Sequence, residues 1–312
     1  MRARSTFAEP ALVTRSPSTA RTLVQALRPH QWSKNLLVFL PVLAAHRFDA
    51  ATLGRSVLAF AALSLCASGG YVLNDLLDVA ADRQHSRKRH RPFASGRLSM
   101  RSGLGLVALT WLLGFSVAVL VLPPLFAAFV AAYLLTTAAY SMSLKRIAVL
   151  DVLVLALLYV LRVLAGGVAT AIAVSNWLLA FTLFLSLSLA FLKRFIEVRA
   201  AATGEAAEAM TQVPGRGYRI DDASWLHSAG LSSAYLGVVV LALYANSDDV
   251  TRLYSHPDRL LLVCPVVLFW ATRTWLLAHR AELHDDPVVA VARDPSTYAV
   301  LALAGLTVLF SI

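Results

Sequence analysis

The stretch Leu53–Pro92, LGRSVLAFAALSLCASGGYVLN followed by DLLDVAADRQHSRKRHRP, decides the fold. Its first half is an apolar run of roughly the 20 residues that cross about 30 Å of hydrocarbon. Its second half sets Asp75, Asp78 and Asp82 among a run of cations. On one continuous helix these acids stand at i, i+3 and i+7, so all three project from a single face. Like charges so placed repel unless a cation stands between them. Oxygen-only donors at this spacing suit a hard divalent ion such as Mg2+, which takes one or two carboxylates plus substrate phosphate oxygens. The plain alternative is a solvated helix end with i,i+4 pairs to Arg83, Arg87 and Arg89. That alternative does not explain why the acids stand between Asn74 on the apolar side and Arg91-Pro92 on the other.

Working outward, the apolar window recurs. Nine such windows fall at 25–45, 53–74, 103–122, 124–141, 148–169, 175–194, 224–245, 259–278 and 295–312, the first being the weakest because Arg28, His30 and Lys34 sit at its start. The runs are too long and too unalternating for a barrel, and backbone groups in lipid must be satisfied within a segment, so the windows predict helices. Hydrophobic residues make up 58% of the 312 residues and mean hydropathy is +0.66, as an integral membrane protein requires. The expected fold is an all-α membrane bundle of nine transmembrane helices in one domain, 21–312. Residues 1–20 are polar, carry Pro10 and Pro17, and hold no apolar core of a secretory signal, which reads as a disordered cytoplasmic tail. Cys66 and Cys264 lie in apolar segments without C-x-x-C spacing, so neither a structural disulfide nor a zinc site is indicated.

The net charge of +10 is distributed as topology. Lys and Arg crowd the tail, the 75–101 loop, Lys145 and Arg146, the 193–219 loop, Arg280 and Arg293; the opposite loops hold only Arg47, Arg55, Arg252 and Arg259. The positive-inside rule then puts the N-terminus and the carboxylates at the cytoplasmic face of the plasma (inner) membrane and the C-terminus outside. The basicity reads as topology first and an anionic substrate second, not as nucleic-acid binding.

Each loop on the basic side brings residues suited to a phosphate-bearing substrate: Lys34 and Asn35; Lys88 and Arg91; Tyr140 and Lys145; Lys193, Arg194 and Glu197. Trp32 and Arg146 read as interfacial anchors. Arg162 lies mid-helix, where an unpaired charge costs on the order of 3 kcal/mol, so it must face the bundle interior. Asp151, Leu155, Tyr159 and Arg162 share one stripe, which points Asp151 and Arg162 into a common cavity; Arg162 is either paired with a polar group on another helix or a receiver of phosphate. Gly166 and Gly167 permit close helix approach. The 198–222 loop, with Gly204, Pro214, Arg216, Tyr218, Asp221 and Asp222, is long enough to be a lid, with Arg216 and Tyr218 over a bound phosphate. His279, His284, Asp285 and Asp286 read as an exposed helix end ahead of Pro287.

Asn74-Asp75-x-x-Asp78-x-x-x-Asp82 resembles the first aspartate-rich motif of the UbiA superfamily of membrane prenyltransferases, and the resemblance runs from Arg28 onward. It implies a nine-helix bundle that uses Mg2+ at its cytoplasmic face. Arg28-Pro29-x-Gln31-Trp32-x-Lys34-Asn35, Asp82-x-x-His85-x-x-Lys88-x-x-Arg91-Pro92 and Tyr159-x-x-Arg162-x-x-Ala165-Gly166-Gly167 look most like the decaprenyl-phosphate phosphoribosyltransferase branch. That branch moves the phosphoribosyl group of phosphoribosyl pyrophosphate to a polyprenyl phosphate, a precursor step of cell-envelope glycans. Aromatic-ring prenyltransferases carry a second Asp-x-x-x-Asp after the sixth helix; this chain has Lys193-Arg194-x-x-Glu197 there. Two cations replace carboxylates, which suits a further phosphate and puts a second metal in doubt, with Asp221 and Asp222 as substitutes.

Asp75, Asp78 and Asp82 are the expected ligands of Mg2+ and, with Arg162, the expected catalytic residues. Lys34, Asn74, Lys88, Arg91, Tyr140, Lys145, Tyr159, Lys193, Arg194 and Glu197 are the expected substrate contacts. An acceptor phosphate is already anionic, so neither a protein nucleophile nor a strong general base is needed. The alternatives are prenyl transfer from a prenyl diphosphate to an aromatic or other small acceptor, and an anionic-solute transporter. One-sided clustering of the charges argues against transport, whose site belongs near the midplane. Assembly into a homo-oligomer stays open.

Overall fold

The computed structural model describes residues 19–84, 88–203, 211–213, 215–247, 250, 253–283, 290 and 294–312. Most of the expected tail, His85, and the trio His284, Asp285 and Asp286 lie outside the described residues. The chain is helical: α1 Thr19–Leu27, a 3₁₀ segment Pro29–Phe39, α2 Leu40–Ala44, α3 Ala50–Leu77, α4 Val79–Gln84, α5 Met100–Leu120, α6 Pro124–Met142, α7 Leu150–Thr170, α8 Asn176–Ala202, α9 Ala223–Ala245, α10 Val263–His279 and α11 Pro295–Leu309. Short 3₁₀ turns at Lys88–His90, Leu144–Arg146, Ile220–Asp222 and Pro257–Leu262 link them.

Local chemistry sets the helix starts. Asp49, Ser99 and Ser175 accept from the backbone N–H of Thr52, Ser102 and Leu178 at 3.0, 3.1 and 3.2 Å, satisfying donors that the first turn leaves free. Pro123 and Pro124 end the apolar run of α5 and open α6, because proline cannot donate within a helix but fits its first turn.

Among the described residues seven segments, α3, α5, α6, α7, α8, Ile220–Ala245 and Pro257–His279, are long and apolar enough to cross a membrane. The other two expected spans differ. The window at 25–45 folds as α1, the 3₁₀ segment and the five-residue α2, since Arg28, Pro29, His30 and Lys34 break its apolar run. The window at 295–312 yields a 15-residue helix, about 22 Å long at 1.5 Å per residue and shorter than the hydrocarbon core.

Among the described residues, the two largest of four apolar clusters hold the centre of the bundle. One gathers Val38, Leu63, Cys66, Phe126, Val130, Tyr133 and Leu158 from the 3₁₀ segment, α3, α6 and α7. The other gathers Val152, Phe191, Leu192, Phe195, Leu226 and Trp275 from α7, α8, α9 and α10. The helix α7 serves both, and it packs on the 3₁₀ segment so closely that a Cβ on Gly166 would stand 2.1 Å from the Val38 carbonyl oxygen. Trp32 is more than an interfacial anchor: its Nε1 donates to Ser68 Oγ at 2.9 Å, and Ser68 Oγ donates to the Leu27 carbonyl at 2.9 Å. Those bonds clamp the segment bearing Arg28, Lys34 and Asn35 onto α3.

Candidate active site

The acidic corner forms where α3 ends. Asp78 leaves the helix at φ −95° and ψ 5°, its N–H still donating to the Asn74 carbonyl at 3.0 Å, and Asp82 N–H donates to the Asp78 carbonyl at 2.8 Å to start a new turn. The helix is interrupted at Asp78 alone, and Asp75 and Asp82 still converge on one side, where a single nitrogen of Arg91 meets both. Each acid at this corner meets a cation from outside α3 and α4.

Those cations come from far along the chain. Arg28 Nη2 donates to both oxygens of Asp75, at 2.8 and 2.9 Å, from 47 residues away. Arg91 Nη1 bridges Asp75 Oδ1 at 3.2 Å and Asp82 Oδ2 at 2.7 Å. Lys145 Nζ donates to Asp78 Oδ1 at 2.6 Å and Asn74 Oδ1 at 3.0 Å, and Asn74 Nδ2 donates to Asp78 Oδ2 at 3.0 Å. With Asp75 only 1% exposed, such pairing is what permits a carboxylate inside, since an uncompensated buried charge costs several kcal/mol. Burial pushes the Asp82 carboxyl above its usual range against the opposing pull of Arg91. Burial likewise pushes the Lys145 ammonium down, with its bond to Asp78 working the other way.

Among the described residues no three His, Cys, Asp or Glu side chains already converge on one point; the acids face their cations. The corner still fits a hard divalent cation. Its acidic donors are all oxygens, and a guanidinium nitrogen stands between two of the carboxylates, where positive charge is accommodated. Asp75, Asp78 and Asp82 are the residues that could hold Mg2+.

A second knot lies beside the first. Arg194, 0% exposed, donates through Nε to Asp151 and through Nη1 to Glu197, and through Nη2 to the Tyr140 hydroxyl at 2.7 Å. Tyr218 OH donates to Asp151 Oδ1 at 2.7 Å and accepts from Val149 N–H at 2.9 Å. Val149, β-branched, is held at φ 68°, a position that costs on the order of 1–3 kcal/mol and persists only where its surroundings impose it. Arg216 Nε lies 3.4 Å from Glu197 Oε2.

This arrangement corrects three expectations. Arg194 offers no surface to a substrate phosphate, because three partners enclose it. Tyr218 is a strut between Asp151 and the start of α7, not part of a cover over phosphate. Asp151 and Arg162 do not share a cavity: eleven residues put them about 16 Å apart along α7, and each closes into its own network. Lys193 is half-buried on α8, next to Arg194 in sequence. Asp222 accepts from Arg219 N–H at 2.7 Å as a helix cap, and Asp221 is exposed.

Arg162, 5% exposed, donates to Asn35 Oδ1 at 2.7 Å, the Leu158 carbonyl at 2.6 Å and the Tyr133 hydroxyl at 3.0 Å. Its guanidinium lies over the rings of Tyr133 and Tyr159 at 4.9 and 5.3 Å, and Asn35 Nδ2 in turn donates to Ser64 at 3.0 Å. Neutral acceptors and aromatic faces satisfy it, with no carboxylate among these partners. Lys34 is buried nearby on the 3₁₀ segment, and Lys88 is half-buried in its 3₁₀ turn. The sequence reading assigned no role to Arg28 or Tyr133. The available signals for Arg28 are its place just before a proline at the head of a weak apolar window and its position at the start of the Arg28–Asn35 motif.

Residues 35–285 match the family model described as the UbiA prenyltransferase family. The chain belongs to that family. Similar UbiA relatives include the uncharacterized protein y4nM of Sinorhizobium fredii, 39% identical over 279 residues, 89% of this chain and 53% of that protein; this chain thus spans about half the length of y4nM. The nodulation protein NoeC of Azorhizobium caulinodans is 36% identical over 284 residues, 91% of each chain. Decaprenyl-phosphate phosphoribosyltransferase of Mycobacterium tuberculosis is 37% identical over 210 residues, 63% of this chain and 67% of that enzyme. Among solved structures, a UbiA homolog from Archaeoglobus fulgidus bound to GPP and Mg2+ superposes with a TM-score of 0.67 at 15% identity, covering 93% of this chain and 98% of that one. At that identity the likeness is one of fold.

Proposed function

We propose that this UbiA protein transfers the 5-phosphoribosyl group of phosphoribosyl pyrophosphate to a polyprenyl phosphate, releasing pyrophosphate, with its acidic corner and N-terminus on the cytoplasmic side of the plasma membrane. The observation that carries the reading is the charge balance around the corner. Glu197, which stands where aromatic-ring enzymes keep their second carboxylate motif, is consumed by Arg194 and Arg216. Lys88, Arg91, Lys145 and Arg216 act on one another electrostatically in the same neighbourhood. A basin with one acidic corner and a surplus of cations suits a donor with a third phosphate and an acceptor that is itself a phosphate. The similarity to the mycobacterial phosphoribosyltransferase supports it.

The chain's residues bind and orient. Asp75, Asp78 and Asp82 would hold Mg2+, which when bound neutralises charge on the departing pyrophosphate. Arg91 and Lys145, whose donors now rest on those acids, turn toward the donor's phosphate oxygens. The acceptor phosphate oxygen forms the new bond to the anomeric carbon as the bond to pyrophosphate breaks, so no side chain takes a proton. Catalysis is positioning plus electrostatic stabilisation.

Prenyl transfer to a small acceptor is the second reading, favoured by membership of a prenyltransferase family. Incubating purified protein with phosphoribosyl pyrophosphate or with prenyl diphosphates, each with its matching acceptor, separates the two. Consumption of phosphoribosyl pyrophosphate alone is expected; consumption of prenyl diphosphate alone would overturn the proposal.

A further inference from the structure

Within the 198–222 loop, expected to be a lid, the described residues 211–213 and 215–219 are fastened down. Val213 N–H donates to the Tyr218 carbonyl at 2.9 Å and Ile220 N–H to the Thr211 carbonyl at 3.3 Å, with Gln212 and Arg219 paired antiparallel between them. Gly215 makes the turn at φ 73°, a conformation that suits glycine. The closed hairpin is then bolted to the junction between α6 and α7. Tyr218 is buried with its hydroxyl between Asp151 and Val149 N–H. A Cβ on Gly217 would stand 2.5 Å from the Arg146 carbonyl oxygen and 2.6 Å from Ala148 N, both backbone atoms. The residue between these fixed points, Arg216, is carried to one place.

At that place one nitrogen of Arg216 has no acceptor among the described residues. Arg216 Nε reaches Glu197 at 3.4 Å, but Glu197 is already engaged by Arg194. Arg216 Nη1 is shut off from solvent and has no hydrogen-bond partner among the described residues. A buried guanidinium N–H without an acceptor is a cost the fold carries for a reason outside its own packing.

We propose that Arg216 is a phosphate-recognition residue, its Nη1 donating to a phosphate monoester of a substrate that is distinct from the pyrophosphate at the acidic corner. This rests on the proposed function for which of two sources supplies the group, the donor's ribose 5-phosphate or the acceptor's lipid phosphate. The hairpin thereby acts as a fixed receptor, and selection for a phosphorylated substrate is built into the resting structure. Arg216 is thus a specificity residue.

The test compares wild type with Arg216→Gln and Arg216→Lys in detergent. In the first arm, inorganic phosphate alone is titrated while thermal unfolding is followed. Phosphate stabilises the wild type, and Arg216→Gln binds it at least about tenfold more weakly, as loss of a charge-assisted hydrogen bond implies. The second arm measures both KM values: a rise of about tenfold or more for phosphoribosyl pyrophosphate assigns the group to the donor, and the same rise for polyprenyl phosphate assigns it to the acceptor. Glu197 keeps Arg194 in the Gln variant, so basal stability is retained. If it is not, Arg216→Lys, which keeps a charge beside Glu197 but loses the fork, carries the test and must weaken phosphate binding. Unaltered phosphate affinity and unaltered KM values in both variants would overturn the proposal. Failure of the phosphoribosyl reading is separately visible as a wild type that binds inorganic phosphate yet turns over no phosphoribosyl pyrophosphate.

Discussion

Replacing Arg194 with Gln tests whether this arginine serves the fold or the substrate. The guanidinium binds Asp151, Glu197 and Tyr140 at once. Glu197 keeps Arg216 and is 27% exposed, so it loses little. Asp151 is fully buried and keeps only the Tyr218 hydroxyl among these partners. Removing one side of a buried pair costs about 3–5 kcal/mol, and with Glu197 discounted the lower end, about 3 kcal/mol, applies. For a chain of this size that lowers Tm by roughly 5 °C. Adding Asp151→Asn to Arg194→Gln should return part of the loss, because the stranded charge goes with its partner. The assay is thermal unfolding in detergent beside donor and acceptor KM. An Arg194→Gln protein that melts like wild type while its KM rises tenfold would refute the reasoning and return Arg194 to the substrate.

Three further outcomes follow from the geometry. Asp75→Asn and Asp78→Asn should each abolish turnover while the protein remains folded, and excess EDTA should do the same to wild type; full activity in EDTA would exclude a metal at the corner. Arg162→Lys should lower Tm more than it lowers kcat, since one ammonium cannot span Asn35, the Leu158 carbonyl and Tyr133 together; unchanged Tm with turnover lost would mean the fork meets substrate instead. The Tyr218 phenol is pushed up by burial and then by its bond to Asp151, so its contribution to stability is complete below about pH 10 and is lost as pH climbs toward the raised folded value; Tyr218→Phe should flatten that alkaline limb of the Tm profile, and an unchanged limb would exclude the strut.

The helices were legible because hydropathy over about 20 residues reports lipid burial directly, and α3 and α5 to α8 fall close to their expected windows. The acidic motif was legible as chemistry and only in part as shape. Spacing puts the acids on one side, but neither the turn at Asp78 nor the bond it receives from Lys145, 67 residues away, can be read from it. Arg194 shows the same limit from the other side. Its place at the basic end of α8 is compatible equally with a phosphate and with a buried acid, and only Asp151, 43 residues away, decides between them. The broken first window was foreshadowed by Pro29 and its flanking charges, whereas the pairing of Arg28 with Asp75 is a tertiary fact that no local pattern carries. In the 211–219 hairpin, Gly215 and Gly217 announce a turn but not the surface it is bolted to.

The central claim is tested most directly by the mass of the lipid product. Purified protein in detergent with Mg2+, polyprenyl phosphate and phosphoribosyl pyrophosphate should yield a lipid heavier by one phosphoribosyl group, with one pyrophosphate released per lipid converted and nothing formed by Asp75→Asn. Recovery of unaltered polyprenyl phosphate, from a preparation that attaches a prenyl chain to a small acceptor under the same conditions, would contradict the account.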